Sequence, residues 1–170
     1  ALVKAAKEAG ADAVKFQTHE VVDEVLDIEF TSPHFRAKDR YSWVRRNMNA
    51  TPLETFWKPL KAYCDELGII FFSTPMSRKA ARKLEVVGVP LWKIGSGDVQ
   101  DLLLLNYVAS TGKPVIISSG MTSLKEFDDV VMYLTEKNVP LVIMYFVRQY
   151  PAPMEAFNLA TIERFKKQYP

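Results

Sequence analysis

Short apolar runs alternate with amphipathic stretches along most of this chain, and that alternation sets the expected fold class. Five runs, at 13–17, 69–74, 91–95, 114–118 and 141–146, are almost continuously hydrophobic. Such runs are the pattern of parallel strands whose sheet is covered on both faces. Between them lie stretches with apolar residues at helical spacing. The first, at 1–10, ends at Gly10. Thr51-Pro52-Leu53-Glu54 has the form of a capping box with proline at the first helical position. After it Leu53, Phe56, Trp57, Leu60, Cys64 and Leu67 share one face and Gly68 closes the element, while Pro59 predicts a kink or a late start. Ser77 is placed to cap a helix over 78–87, with Gly88 and Pro90 ending it. The stretch 102–110 reads as a buried helix that stops at Thr111-Gly112. Ser123-Leu124-Lys125-Glu126 is a second capping box, opening a helix that carries Phe127, Val130, Val131 and Leu134. A last helix over 158–169 is expected to turn Leu159, Ile162 and Phe165 inward.

Strands alternating with helices imply parallel strands joined by right-handed crossovers. The expected fold class is therefore α/β, of the (β/α)8 TIM-barrel type, with about five consecutive βα units present. The chain has 170 residues, against roughly 250 for a whole eight-unit barrel. It also opens directly in a helical pattern, so residues 1–170 are expected to be the central part of a single barrel domain with a strand preceding them. The connection 18–50 breaks the regularity. Connections longer than roughly 12–15 residues are uncommon and tend to be functional or disordered. This one holds Phe30, His34, Phe35, Tyr41 and Trp43. It follows a strand, which in a barrel places it on the face where active sites form. A lid or subunit contact is the preferred reading, a plain surface excursion the alternative.

Composition narrows the function classes. The chain is 48% hydrophobic and 25% charged, with a net charge of only +2, which suits a globular protein and offers no basic stripe for nucleic acid. Arg45-Arg46 and Lys166-Lys167 are isolated pairs that read as solvated faces. No apolar run approaches the roughly 20 residues of a membrane span, so no membrane partner is expected. The single cysteine, Cys64, excludes an intrachain disulfide and fits a cytoplasmic location. Its place on an apolar stripe predicts packing rather than reactivity.

The chemistry gathers where the strands stop. The first ends Lys15-Phe16-Gln17-Thr18-His19, the second Ser73-Thr74-Pro75, the third Lys93-Ile94-Gly95-Ser96-Gly97-Asp98, and the fourth Ser118-Ser119-Gly120-Met121. Lys15 and Lys93 lie within hydrophobic strands, where an unpaired ammonium is costly to bury. A small, multiply charged anion would neutralise both. Hydroxyls of Thr74, Ser96 and Ser118 would donate to it, and Gly95, Gly97 and Gly120 would admit its close approach to the backbone. Alternatively, either lysine pairs with Asp98 or Glu20, and the serines are helix caps. On spacing alone the reading stops at an anion-binding α/β barrel.

Four stretches then carry a resemblance: AAKEAGADAVKFQTH (5–19), YCDELGIIFFSTP (63–75), VPLWKIGSGDVQDLLLL (89–105) and ASTGKPVIISSGM (109–121). Together with Tyr150-Pro151-Ala152-Pro153 and Asn158-Leu159, they resemble the N-acetylneuraminate (sialic acid) synthase family over nearly the whole chain. The resemblance implies condensation of phosphoenolpyruvate with N-acetylmannosamine or a related amino sugar, releasing phosphate, with a divalent metal (manganese or magnesium) polarising the sugar aldehyde. Carried over by position, Lys15 and Lys93 are the catalytic cations. Thr74, Ser96 and Ser118 hold carboxylate and phosphate oxygens, and Gln17 and Tyr150 stand near the sugar. It also implies a homodimer, and a C-terminal antifreeze-like domain that this chain lacks.

The departures from the family pattern are as informative. Its metal-binding histidines fall on later strands, and of the two histidines here neither His19 nor His34 has partners at ligand spacing. Where the family has small polar residues before the Tyr-Pro pair, this chain has Tyr145-Phe146-Val147-Arg148. That change leaves two alternatives open: a diverged protein of the same fold that binds an anion or sugar without catalysis, or another phosphoenolpyruvate–aldose synthase in which Arg45, Arg46 or Arg148 clamps a sugar phosphate.

Overall fold

The apolar runs become five parallel strands: β1 (Ala13–Thr18), β2 (Ile70–Pro75), β3 (Trp92–Ile94), β4 (Val115–Ser118) and β5 (Leu141–Met144). The structure, a computed structural model, describes residues 1–28 and 39–169. Each strand lies beside the next in sequence. β1 pairs with β2, while β3, β4 and β5 form one ladder. β2 and β3 are packed together with no ladder of backbone bonds between them. This is the strand order of consecutive βα units of a TIM-type barrel, as expected.

Helices accompany the strands, and most of them pack on one face. They are α1 (Leu2–Glu8), α2 (Val21–Glu24), α3 (Arg40–Ala50), α4 (Lys58–Glu66), α5 (Arg78–Val87), α6 (Leu102–Ser110), α7 (Leu124–Glu136) and α8 (Ala160–Gln168). The core lies between the two layers. Phe71 and Trp57 are 1% exposed and meet Phe16 edge-on or stacked, while Trp92, Ile94, Val115 and Ile117 are fully buried. Each such side chain contributes about 1.5–3 kcal/mol by leaving water. Cys64 is fully buried, as its stripe predicts.

The caps show why several helices begin where they do. Ser77 accepts from the Ala80 amide, and Gly88 ends α5 in the left-handed region at φ +85°. Ser123 and Glu126 form the complete reciprocal capping box. Asp101, unnoticed in the sequence pattern, caps α6 through the Leu104 amide.

Three expectations need correction, and one, at Pro59, holds. Thr51 does not cap: its hydroxyl donates to the Asn47 carbonyl and closes α3. The late start read from Pro59 is observed: a π turn, Leu53–Trp57, precedes α4 and places Pro59 in the helix's first turn, where its missing N–H is tolerated. α6 is not buried all round, since Leu102 and Leu103 are exposed. In α8 only Phe165 of the three residues is buried. Leu159 and Ile162 face outward because the helix packs on α7 through Phe165 and Tyr169 against Phe127. Within the long connection, α2 packs against α3, which carries Tyr41 and Trp43. Phe30, His34, Phe35 and Pro170 lie outside the described residues.

Candidate functional site

Register decides which strand residues share a face. Side chains alternate along a strand, and in-register parallel partners point the same way. Lys15 pairs with Phe72 and Gln17 with Thr74, so these four share the face away from the helices. Lys93 pairs with Ile116, and Ser118, two residues further along β4, is on that side too, as are Val142 and Met144 of β5. This helix-free face holds Lys15, Gln17, Thr74, Lys93 and Ser118 together, and the described residues leave its ends open: Ile70, Val142 and Met144 are 46–54% exposed.

Lys93 is the best enclosed of the group, 6% exposed. Its ammonium donates to the Ile94 carbonyl at 2.5 Å and to Ser118 Oγ at 2.6 Å. An ammonium has three protons, so one remains for a ligand. Ser118, accepting from Lys93, keeps its own proton to donate. Burial first, and then the charge of Lys15, push Lys93 down to about 8, with Asp98 opposing the shift. The charge of Lys15 is thus close enough to act on Lys93. Among the described residues neither forms an ion pair.

Lys15 corrects the expectation of burial. It is exposed, as is Gln17, because β1 lies at the edge of the sheet and nothing described covers this face. The carboxylates suggested as alternative partners are otherwise placed. Glu20 is buried and paired with Lys79 at 3.4 Å and with Lys83. Asp98 stands close enough to act on Lys93 but makes no salt bridge with it.

Thr74, Ser96 and Ser118 are all buried at the strand ends, at 4%, 9% and 5% exposure. Thr74 is not a helix cap: that role falls to Ser77. Tyr150 stands apart, 72% exposed, with its ring against Phe146 at 6.3 Å and no hydrogen bond to the lysine group. Two glycines serve the protein itself. A side chain at Gly120, φ +120°, would meet the Phe146 carbonyl at 2.6 Å, so the loop after β5 lies directly on the end of β4. The Phe146 amide and the Met144 carbonyl are tied to Ser119 there. At Gly95 an added Cβ would come within 3.0 Å of Asp98 Oδ2 and 3.8 Å of Thr74 Cγ2.

Sequence reasoning treated Asp98 only as a counterion and overlooked the groups around it. Burial first, then Glu24 and Asp101, raise its carboxyl to about 6, while Arg40 and Lys93 oppose. Glu24 accepts from His19 Nδ1 at 2.8 Å and from Arg40 at 3.4 Å, and the His19 ring lies edge-on to Trp43. The root of the long connection is thus bound to the end of β1. His19 is committed to Glu24, and among the described residues no group of three or more His, Cys, Asp or Glu could hold a metal. These residues do not fit a metal centre.

A large groove of about 950 Å³ lies elsewhere, between α7 and α8 beside β5, lined by Val131, Ile143, Phe165 and Tyr169 among others. It contains none of the strand-end hydroxyls or lysines.

Comparison with known proteins agrees with the fold. The chain is 37% identical to an uncharacterized protein of Methanocaldococcus jannaschii, over 97% of this chain and 46% of that protein. It is 31% identical to the N-acetylneuraminate-9-phosphate synthase of Mus musculus, over 99% of this chain and 47% of the synthase. The chain thus spans about half the length of these relatives. The crystal structure of an N-acetylneuraminic acid (sialic acid) synthetase from Leptospira borgpetersenii serovar Hardjo-bovis, in complex with citrate, superposes with a TM-score of 0.82 at 26% identity, covering 98% of this chain and 54% of that one. The NeuB family model matches residues 2–170, and the chain belongs to the NeuB family.

Proposed function

We propose that this chain is the central, phosphoenolpyruvate-binding part of a synthase barrel that condenses phosphoenolpyruvate with N-acetylmannosamine or a related amino sugar, releasing phosphate. The observation that carries the reading is the pair Lys15 and Lys93, which share one helix-free face with buried hydroxyls at the strand ends and, among the described residues, have no carboxylate bound to either. Two cations held apart from counterions attract a compact polyanion. Citrate in the Leptospira synthetase is a ligand of that kind.

In this reading Lys93 and Lys15 neutralise the phosphate and carboxylate of phosphoenolpyruvate, while Thr74, Ser96 and Ser118 donate to their oxygens. Holding that charge with donors already in place is the largest contribution such a site makes to rate. Gln17, on the Lys15 side, and Tyr150, at the outer rim, face the sugar. By family resemblance alone, the longer protein is a cytoplasmic homodimer that uses a divalent metal (manganese or magnesium), and the described residues supply no ligands for it. Among them no helix is long and apolar enough to cross a membrane.

A second reading is favoured by one observation: the bulky Phe146 stands against Gly120, beside Ser119 and the site's Ser118. It would narrow the sugar side and yield a binder without catalysis, or a synthase for a different aldose. Arg45 is drawn to Tyr41 and Asp27, which leaves Arg46 and Arg148 as candidate phosphate clamps.

Phosphate release from phosphoenolpyruvate, with manganese and a panel of aldoses, is the test on the longer protein. Lys93→Ala should abolish phosphoenolpyruvate binding by calorimetry. Unchanged affinity would refute the assignment.

A further inference from the structure

Asp98 is a carboxylate for which the anion-binding reading has no use. It hangs from the turn after β3, held by its own amide on the Gly95 carbonyl at 3.1 Å. Its Oδ2 occupies the space that a side chain at residue 95 would fill, on the side of Thr74. A Cβ at 95 would press on that oxygen, which would have to give by a few tenths of an ångström. Among the described residues no group donates a hydrogen bond to this carboxylate, although it is half-buried. Among the described residues, the other buried or half-buried carboxylates at this end of the strands are matched: Glu20 by two lysines, and Glu24 by His19 and Arg40. A half-buried acid with no donor among the described residues is left able to exchange a proton with a ligand beside Thr74 and Lys93.

We propose that Asp98 is the proton-transfer group of the site, donating from its carboxyl to the sugar's aldehyde oxygen as the carbon–carbon bond forms. The proposal rests on the synthase reading above. In the step, the electron pair of the enol C2–C3 double bond makes the new bond from C3 to the aldehyde carbon. The carbonyl π pair moves to the aldehyde oxygen, which takes the Asp98 proton and becomes a hydroxyl. Water then adds to the cationic C2 and gives a proton back to the Asp98 carboxylate. Finally the C2–O bond to phosphate breaks with its electron pair, and the C2 hydroxyl loses its proton to the departing phosphate. No oxidant or further reactant is needed.

The charged groups acting on Asp98 come from several elements: Glu24 of α2 and Arg40 of α3, Lys93 of β3, and Asp101 in its own turn. The two carboxylates favour the protonated acid and the two cations oppose it. A bound polyanion adds to the first group, so ligand binding itself primes Asp98 for donation. The value of about 6 in the free protein predicts a kcat/KM that falls above about pH 6 as the donor form is lost.

The experiment uses the longer protein with phosphoenolpyruvate, manganese and its best aldose. Asp98→Asn should lower kcat at least about a hundredfold, the scale of general acid catalysis, with phosphoenolpyruvate affinity by calorimetry changed less than about threefold. The fall above pH 6 should vanish. Asp98→Glu should recover part of the rate and restore a pH limb. Should Asp98→Asn prove unfolded by circular dichroism, Arg40→Met provides the decision: removing that cation should move the limb to higher pH. An Asp98→Asn enzyme of near-normal kcat, a loss confined to affinity, or a limb indifferent to Arg40→Met would overturn the proposal while leaving the synthase reading in place. Absence of phosphate release from the wild type on every aldose would instead sink the underlying reading and the proposal with it.

Discussion

Replacing Lys93 with methionine should make the empty protein more stable while removing its ligand. The two side chains are similar in length, so the change mainly deletes charge. Lys93 sits at about 8 rather than 10.5, from burial first and Lys15 second. That depression is a cost of about 3 kcal/mol for keeping the ammonium protonated in the fold. Methionine removes the cost but leaves Ser118 Oγ and the Ile94 carbonyl without their donor, a loss of about 1 kcal/mol each. The net gain is about 1 kcal/mol, or roughly 3 °C in melting temperature for a protein of this size. The sign with pH follows from proton counts. Between about 8 and 10.5 the unfolded lysine binds a proton that the folded one has released, so wild-type stability rises with pH across that window. The advantage of Lys93→Met should therefore be full below pH 8 and shrink toward pH 10.5. Chemical denaturation of the purified protein at pH 7 and pH 10 measures it, and a melting shift with phosphoenolpyruvate at pH 7 tests binding. A difference that stays flat with pH, or a variant that still gains stability from phosphoenolpyruvate, would refute the reasoning.

Two further outcomes follow from backbone geometry and capping. Gly120→Ala should destabilise by at least about 1–3 kcal/mol, because φ +120° is strained for any side chain and the Phe146 carbonyl stands 2.6 Å from the new Cβ; a denaturation midpoint equal to wild type would contradict the close approach. Ser123→Ala should cost about 1 kcal/mol through loss of the capping box at α7, read by the same denaturation curve, and a neutral result would mean that the helix start is held by packing alone.

The strands were legible because each is a compact apolar run, and their ends fell within two residues of expectation. Helices with Ser77 or Ser123 ahead of them were legible for a local reason: the cap and the amide it satisfies are three residues apart. α3 escaped notice because Arg40–Ala50 is polar around most of its circumference, with Val44 its one buried residue. Thr51 misled because the same hydroxyl that could start a helix was used to finish one. The burial of Lys93 and of the strand-end hydroxyls followed from their place in and at the ends of apolar strands. The exposure of Lys15 and the surroundings of Asp98 did not. Glu24 and Arg40 reach Asp98 across more than fifty residues of sequence, a proximity that only the folded chain creates.

The interrupted ladder between β2 and β3 bears on how the two lysine-bearing halves can adapt to what they hold. Sliding one paired strand past another stretches a row of backbone bonds at once, which makes an ordinary sheet stiff. At this seam the two strands lie side by side without such a row, and a displacement of a few tenths of an ångström breaks none. The spacing between Lys15 on one side and Lys93 on the other is thus mechanically compliant, and under the proposed function the gap would adjust to the length of a bridging anion.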